Sequence, residues 1–108
     1  MLENRIYVGL RDRISHEQYF ETEDYKEALK GICKNYHTPF SVQVIEGGYF
    51  HDDGTWVDEN TLLITLIGIP ETTVYKIAKE ICIVFHQESV MITANQVLCF
   101  NVRDYFNQ

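Results

Sequence analysis

Proline is almost missing from this chain, with only Pro39 and Pro70 among 108 residues. A polyproline spacer or Pro-rich linker is thereby excluded. Basic residues are also scarce: nine Lys and Arg stand against sixteen Asp and Glu, for a formal charge of -7. Such a balance repels a phosphate backbone and disfavours direct nucleic-acid binding. The three cysteines, Cys33, Cys82 and Cys99, are odd in number and have no CxxC spacing. They read as reduced thiols buried in apolar elements, in a cytoplasmic setting, rather than as a disulfide or zinc framework. The six glycines form neither GxGxxG nor a P-loop, which removes the usual phosphate cradles. The opening Met1-Leu2-Glu3-Asn4-Arg5 does not resemble a secretory leader, and no apolar run approaches the ~18 residues of a membrane span.

Hydrophobic residues make up 45% of the chain and aromatics 13%, enough to drive one folded domain spanning residues 1–108. Ile6, Val8 and Leu10 alternate and predict a first strand. Arg11 to Glu21 reads as a polar connection. Thr22-Glu23-Asp24 then offers a cap and two acids at a helix start. Tyr25, Ala28, Leu29, Ile32, Cys33 and Tyr36 recur with helical spacing until Pro39. Phe40, Val42 and Val44 predict a second strand running into Gly47-Gly48, where a bulge is expected.

His51-Asp52-Asp53-Gly54-Thr55 reads as a hairpin turn, because Asp-Gly tolerates the positive φ that tight turns need. Thr61 to Ile69 is apolar on both faces and predicts a central strand. Pro70-Glu71 opens a second helix reaching about His86, with Val74, Ile77, Ala78, Ile81 and Phe85 inward. Ser89 to Ala94 predicts a last strand. Val97 to Val102 either continues it after a kink at Asn95-Gln96 or adds a short extra strand. The order βαββαβ predicts a ferredoxin-like α+β fold, a four-stranded antiparallel sheet with two helices on one face.

Tyr7-Val8-Gly9-Leu10, Asp53-Gly54-Thr55-Trp56-Val57 with Glu59-Asn60-Thr61-Leu62, and Gln87-Glu88-Ser89-Val90 resemble segments of small bacterial domains of unknown function, some associated with mobile elements. The resemblance implies the same fold and adds no catalytic residue.

Candidate chemistry gathers at the hairpin. His51, Asp52, Asp53, Asp58 and Glu59 place one imidazole and four carboxylates near one end of the sheet. His51, Asp52 and Asp53 are the candidate metal ligands, although their spacing matches no EF-hand or zinc pattern and a solvated turn explains them. His37 and His86 fall at helix C-termini, where an imidazolium meets the helix dipole favourably. Ser15-His16 and His86 near Ser89 lack a nucleophile elbow or third orienting residue, so nucleophilic catalysis is not indicated. No cofactor is implied.

Strand parity supplies the sharper expectation. If Ile6, Val8, Leu62 and Ile64 face the helices, then Tyr7, Ile45, Leu63, Ile67 and Met91 face away, and an apolar second face needs a cover. The cover is a second copy, the segment Val97 to Phe106, or a ligand or partner protein. Trp56, with Tyr49 and Phe50, suits a partner anchor. The first functional expectation is a non-enzymatic, self-associating binding or regulatory module. The alternatives are a small-molecule enzyme with a pocket in a dimeric α/β barrel, where Tyr7, His51 or Asp52 would supply polar groups, and an acidic nucleic-acid mimic.

Overall fold

The computed structural model describes residues 1–103. The chain runs β1 (Leu2–Gly9), α1 (Thr22–Asn35), β2 (Ser41–Phe50), β3 (Trp56–Ile67), α2 (Glu71–Val84) and β4 (Met91–Gln96). The strands form one antiparallel sheet in the order β2-β3-β1-β4. This is the expected ferredoxin-like α+β arrangement. Ile6, Val8, Leu62, Ile64 and Leu66 project from one sheet face onto Leu29, Ile32 and Cys33 of α1 and Val74, Ile77 and Ile81 of α2. Phe85 closes the end of that core. No described helix is long and apolar enough to cross a membrane.

Several boundaries differ from the periodicity for identifiable reasons. The first strand begins at Leu2, ahead of the apolar alternation that starts at Ile6, because Leu2, Glu3 and Asn4 pair with Gln96, Asn95 and Ala94. The same pairing carries β4 straight through Asn95-Gln96, where a kink was expected. Thr22 is not the cap of α1. Glu21 holds that position without a side-chain cap bond, and the Thr22 hydroxyl accepts from Gln18 and Asn60 instead. Nor do Gly47-Gly48 form a bulge: the register continues through Gly47 opposite Glu59 and Gly48 opposite Asp58. Glycine is needed at 48 for another reason, since a Cβ there would stand 2.3 Å from Trp56 Cζ2 and 2.6 Å from the Val57 carbonyl oxygen.

Both helices end on a histidine in the left-handed region, His37 at φ 53° and His86 at φ 52°. The His37 N–H bonds the Lys34 carbonyl and the His86 N–H bonds the Ile83 carbonyl, closing the last turns. The expected turn at Asp53-Gly54 is present, with Gly54 at φ 86° and the His51 N–H bonded to the Thr55 carbonyl at 2.8 Å. Asp53 accepts from the Thr55 N–H at 2.9 Å.

Among the described residues there is no fifth strand. The Val97 N–H reaches the Met1 carbonyl at 3.0 Å, after which Leu98, Phe100 and Val102 are exposed. The described part of the tail therefore does not lie over the sheet. Residues 104–108, including Phe106, lie outside the described residues. The expectation of three buried thiols is corrected as well: Cys33 is buried, Cys82 half-buried and Cys99 exposed, because Cys99 lies in the exposed segment after β4.

Candidate functional site

The strands of the β2–β3 hairpin run past the ends of the helices, so their outer halves carry polar and aromatic residues with no core beneath them. At the root of this hairpin, where it meets the β1–α1 connection, lies a cleft of about 490 Å³ lined by Arg11, Gln18, Glu46, Gly47, Asp58, Glu59 and Asn60. Strand alternation places Glu46, Asp58 and Asn60 on the helix side, with Glu46 opposite Asn60 in the register. Glu59 belongs to the other parity, and its carboxylate lies against Gly9, where an added Cβ would be 2.9 Å from Oε1.

A hydrogen-bond scaffold fixes the walls. Arg11 donates from Nε and Nη2 to the Asp58 carbonyl at 3.0 and 2.6 Å, and from Nη1 to the His16 carbonyl at 2.9 Å. Gln18 Nε2 donates to the Phe20 carbonyl at 2.9 Å and to the Thr22 hydroxyl at 3.1 Å, and Asn60 Nδ2 donates to that same hydroxyl at 3.1 Å. Trp56 lies across Gly48 and donates from Nε1 to Asp58 Oδ1 at 2.7 Å. Its ring also meets Phe50 edge-on, with centroids 5.0 Å apart. The result is a polar, acid-walled cleft with an indole tied to one of its carboxylates.

The β1–α1 connection is anchored on its other side by Asp12. Asp12 Oδ1 accepts from the N–H groups of Ile14 and Ser15 at 2.8 and 3.0 Å, and Oδ2 meets His86 Nδ1. The His86 contact, helped by the Ser15 and Ile14 N–H groups, holds the Asp12 carboxyl well below the usual carboxylate range. Gln87 Nε2 ties the same connection to α2 through the Arg11 carbonyl at 2.6 Å.

The residues expected on the open sheet face sit there, but they do not form the continuous apolar patch that parity suggested. The register sets Tyr7 between Leu63 and Met91. Leu63 is 5% exposed, Tyr7 is half-buried, and Met91 and Ile67 are 58% and 47% exposed. Ile67 stands four residues along β3 from Leu63, with Thr65 between them on the same face and Arg5 opposite Thr65. Trp56 is 51% exposed and borders the cleft through Asp58. His51 stacks edge-on against Tyr49 at 5.4 Å, and Asp53 is engaged by its own turn. Among the described residues no three His, Cys, Asp or Glu side chains group closely enough to hold a metal.

Arg11, Gln18 and Glu46 were not singled out in the sequence. Glu46 directly precedes Gly47-Gly48, and Gln18 sits in a connection without periodicity, so neither carried a signal. Asp58 and Glu59 were visible as acids beside the hairpin.

A ferredoxin-like domain with an acidic cleft at the root of a long hairpin is thus the class that the fold and site define. No protein-family model matches the chain, and no curated protein matches it. Among solved structures it is similar to a phage S-adenosylmethionine lyase in complex with S-methyl-5′-thioadenosine, at 25% identity over 88% of this chain and 80% of that one, with a TM-score of 0.65. It is also similar to CutA from Pyrococcus horikoshii, at 13% identity over 96% and 92% of the two chains, TM-score 0.56. A DUF3240 family protein from Shewanella baltica OS155 shows 10% identity over 93% of each chain, TM-score 0.52. The last two likenesses concern the fold alone. The DUF3240 protein agrees, at that level, with the expectation of a small domain of unknown function.

Proposed function

We propose that this chain binds S-adenosylmethionine and cleaves it as a sulfonium lyase, releasing S-methyl-5′-thioadenosine, within a homo-oligomer. One observation carries the reading: the Glu46–Asp58 cleft presents carboxylates for a cationic ligand in a chain similar over 88% of its length to a lyase of that substrate. Of the expectations drawn from sequence, this favours the small-molecule enzyme over the regulatory module.

The chemistry limits what the residues must do. A sulfonium is already an activated leaving group, and the substrate's own carboxylate can close on Cγ. The S–Cγ bond breaks, sulfur keeps the electron pair as a neutral thioether, and a five-membered lactone forms. No water or second substrate enters. Holding the reacting atoms in line is the main task, since well-oriented intramolecular attack reaches effective molarities of about 10⁵–10⁸ M.

Because the sulfur loses its positive charge in the transition state, a carboxylate pressed on it would stabilise the ground state more and slow the step. Glu46 and Asp58 therefore serve the α-ammonium, and the faces of Trp56 and Phe50 suit the adenine ring. Arg11 is held on carbonyl oxygens, so it positions the Asp58 strand and leaves the substrate carboxylate free to attack.

A homo-oligomer is supported by the exposed apolar side chains Ile67 and Met91 on the open sheet face, at 47% and 58%.

Purified protein incubated with S-adenosylmethionine and resolved by liquid chromatography tests the proposal. Formation of S-methyl-5′-thioadenosine is expected, with Glu46→Gln or Asp58→Asn raising KM roughly 10-fold or more and changing kcat little, because the α-ammonium contact is the same in the ground and transition states. Calorimetric binding without turnover would return the chain to the binding-module reading, and neither binding nor turnover would reject the sulfonium ligand altogether.

A further inference from the structure

A second cleft, of about 430 Å³, lies on the other side of the β1–α1 connection and is lined by Arg13, Lys79, Cys82, Ile83, His86 and Gln87. Lys79, Cys82, Ile83 and His86 follow i, i+3, i+4 and i+7 spacing, so α2 and its end present them along one stripe. Arg13 is brought to that stripe by its own N–H, which bonds the His86 carbonyl at 3.3 Å.

The electrostatics differ from the rest of the molecule. In a chain with sixteen acids, no Asp or Glu lines this cleft. Arg5, Lys26 and Lys30 are each paired with a glutamate, and Arg11 is held by carbonyl oxygens. Among the described residues, Arg13 and Lys79, like Lys34 and Lys76, have neither an ion pair nor a side-chain hydrogen bond, and Arg13 and Lys79 line one cleft together. The neighbouring carboxylate of Asp12 is turned toward His86 Nδ1 and two backbone N–H groups. The carbonyls of Ile81, Cys82 and Ile83 at the end of α2 already accept from Phe85, Gln87 and His86, which blunts the negative end of the helix. Two unpaired cations thus flank a floor formed by Ile83 and Cys82.

We propose that this cleft binds the anionic head, phosphate or carboxylate, of a small molecule whose apolar part rests on Ile83 and Cys82. The inference is independent of the sulfonium reading, since it concerns a separate cleft of opposite charge. Cys82 supplies an internal reporter: a ligand seated between Arg13 and Lys79 shields its thiol, whereas Cys99 in the exposed tail is unaffected.

The test follows iodoacetamide alkylation of Cys82 and Cys99 by peptide mass spectrometry, with inorganic phosphate or acetate titrated against potassium chloride at matched ionic strength. The expected result is saturable slowing at Cys82 alone, about threefold once the anion reaches twice its Kd. Protection by phosphate only assigns a phosphate head, and protection by both assigns a general oxyanion site. The double substitution Arg13→Ala with Lys79→Ala removes the protection while leaving circular dichroism unchanged, because both side chains are exposed; Lys79→Gln alone weakens it. Equal slowing by chloride, the absence of slowing, or protection that persists in the double variant would overturn the proposal.

Discussion

Asp12 and His86 meet through a carboxylate-to-imidazole hydrogen bond across 74 positions of sequence, joining the connection after β1 to the end of α2. With Asp12 ionised, Nδ1 of His86 carries the shared proton. The contact depresses the folded-state pKa of Asp12 below its unfolded value. Its contribution is therefore complete above the unfolded value, about 4, and is lost as pH falls toward the folded one. Urea midpoints measured from about pH 5 downward should fall in the wild type and fall less in Asp12→Asn. An unchanged slope in the variant would reject this role.

His37 and His86 share a left-handed backbone, but only the His86 side chain has a partner in the scaffold of the β1–α1 connection. Glycine relieves the backbone cost at either position. His37→Gly should raise stability by about 0.5 kcal/mol, the gain offset in part by a freer unfolded chain. His86→Gly should lower stability, because the Asp12 contact is lost. Chemical denaturation of the two variants side by side compares the terms.

The thiols should react in order of packing. Cys99 modifies first and Cys82 more slowly. Cys33, whose thiol is pushed up to about 11 by burial, reacts only on unfolding. Ellman titration at pH ~8, before and after denaturant, reads all three.

Gly48→Ala should unseat Trp56, since the new methyl would overlap both the indole and the Val57 carbonyl. This indole is the only one in the chain, so its emission is an unambiguous monitor and should shift to longer wavelength. The melting temperature should change little, because the outer hairpin lies beyond the core. A large loss of stability with unchanged emission would contradict the packing described.

Self-association is best probed at Ile67 and Met91. Leu63 is nearly buried within the chain itself, so a charge there would damage the fold and confuse the result. Ile67→Lys with Met91→Glu should convert an oligomer to a monomer without loss of helical signal. Sedimentation velocity of both proteins decides it, and a wild type that remains monomeric at high concentration would reject the idea.

Much of the fold was legible because burial writes itself as periodicity. Ile6, Val8, Leu62 and Ile64 alternate, and Val74, Ile77, Ala78 and Ile81 recur with helical spacing, so sheet and helices were readable before any pairing was known. Polar ends were less so: Leu2 to Asn4 join β1 through ladder partners ninety positions away, which no local pattern encodes. The candidate cleft was readable only where acids cluster, at Asp58 and Glu59. Arg11, Gln18 and Glu46 come together through tertiary hydrogen bonds and register, so isolated polar residues in sequence became neighbours in space. Parity correctly placed Tyr7, Leu63 and Met91 on one face, yet it could not foresee that mutual packing would bury Leu63.

The overhanging hairpin has a practical consequence for anyone weighing the molecule. Its principal extents are 60 × 31 × 23 Å and its radius of gyration is 16.7 Å, against about 13 Å expected for a compact chain of this length. A single copy will tumble and migrate through a gel matrix as though it were considerably heavier than its 12.7 kDa. An early elution volume is therefore no measure of stoichiometry for this protein, and mass must come from light scattering or sedimentation, where shape and weight separate.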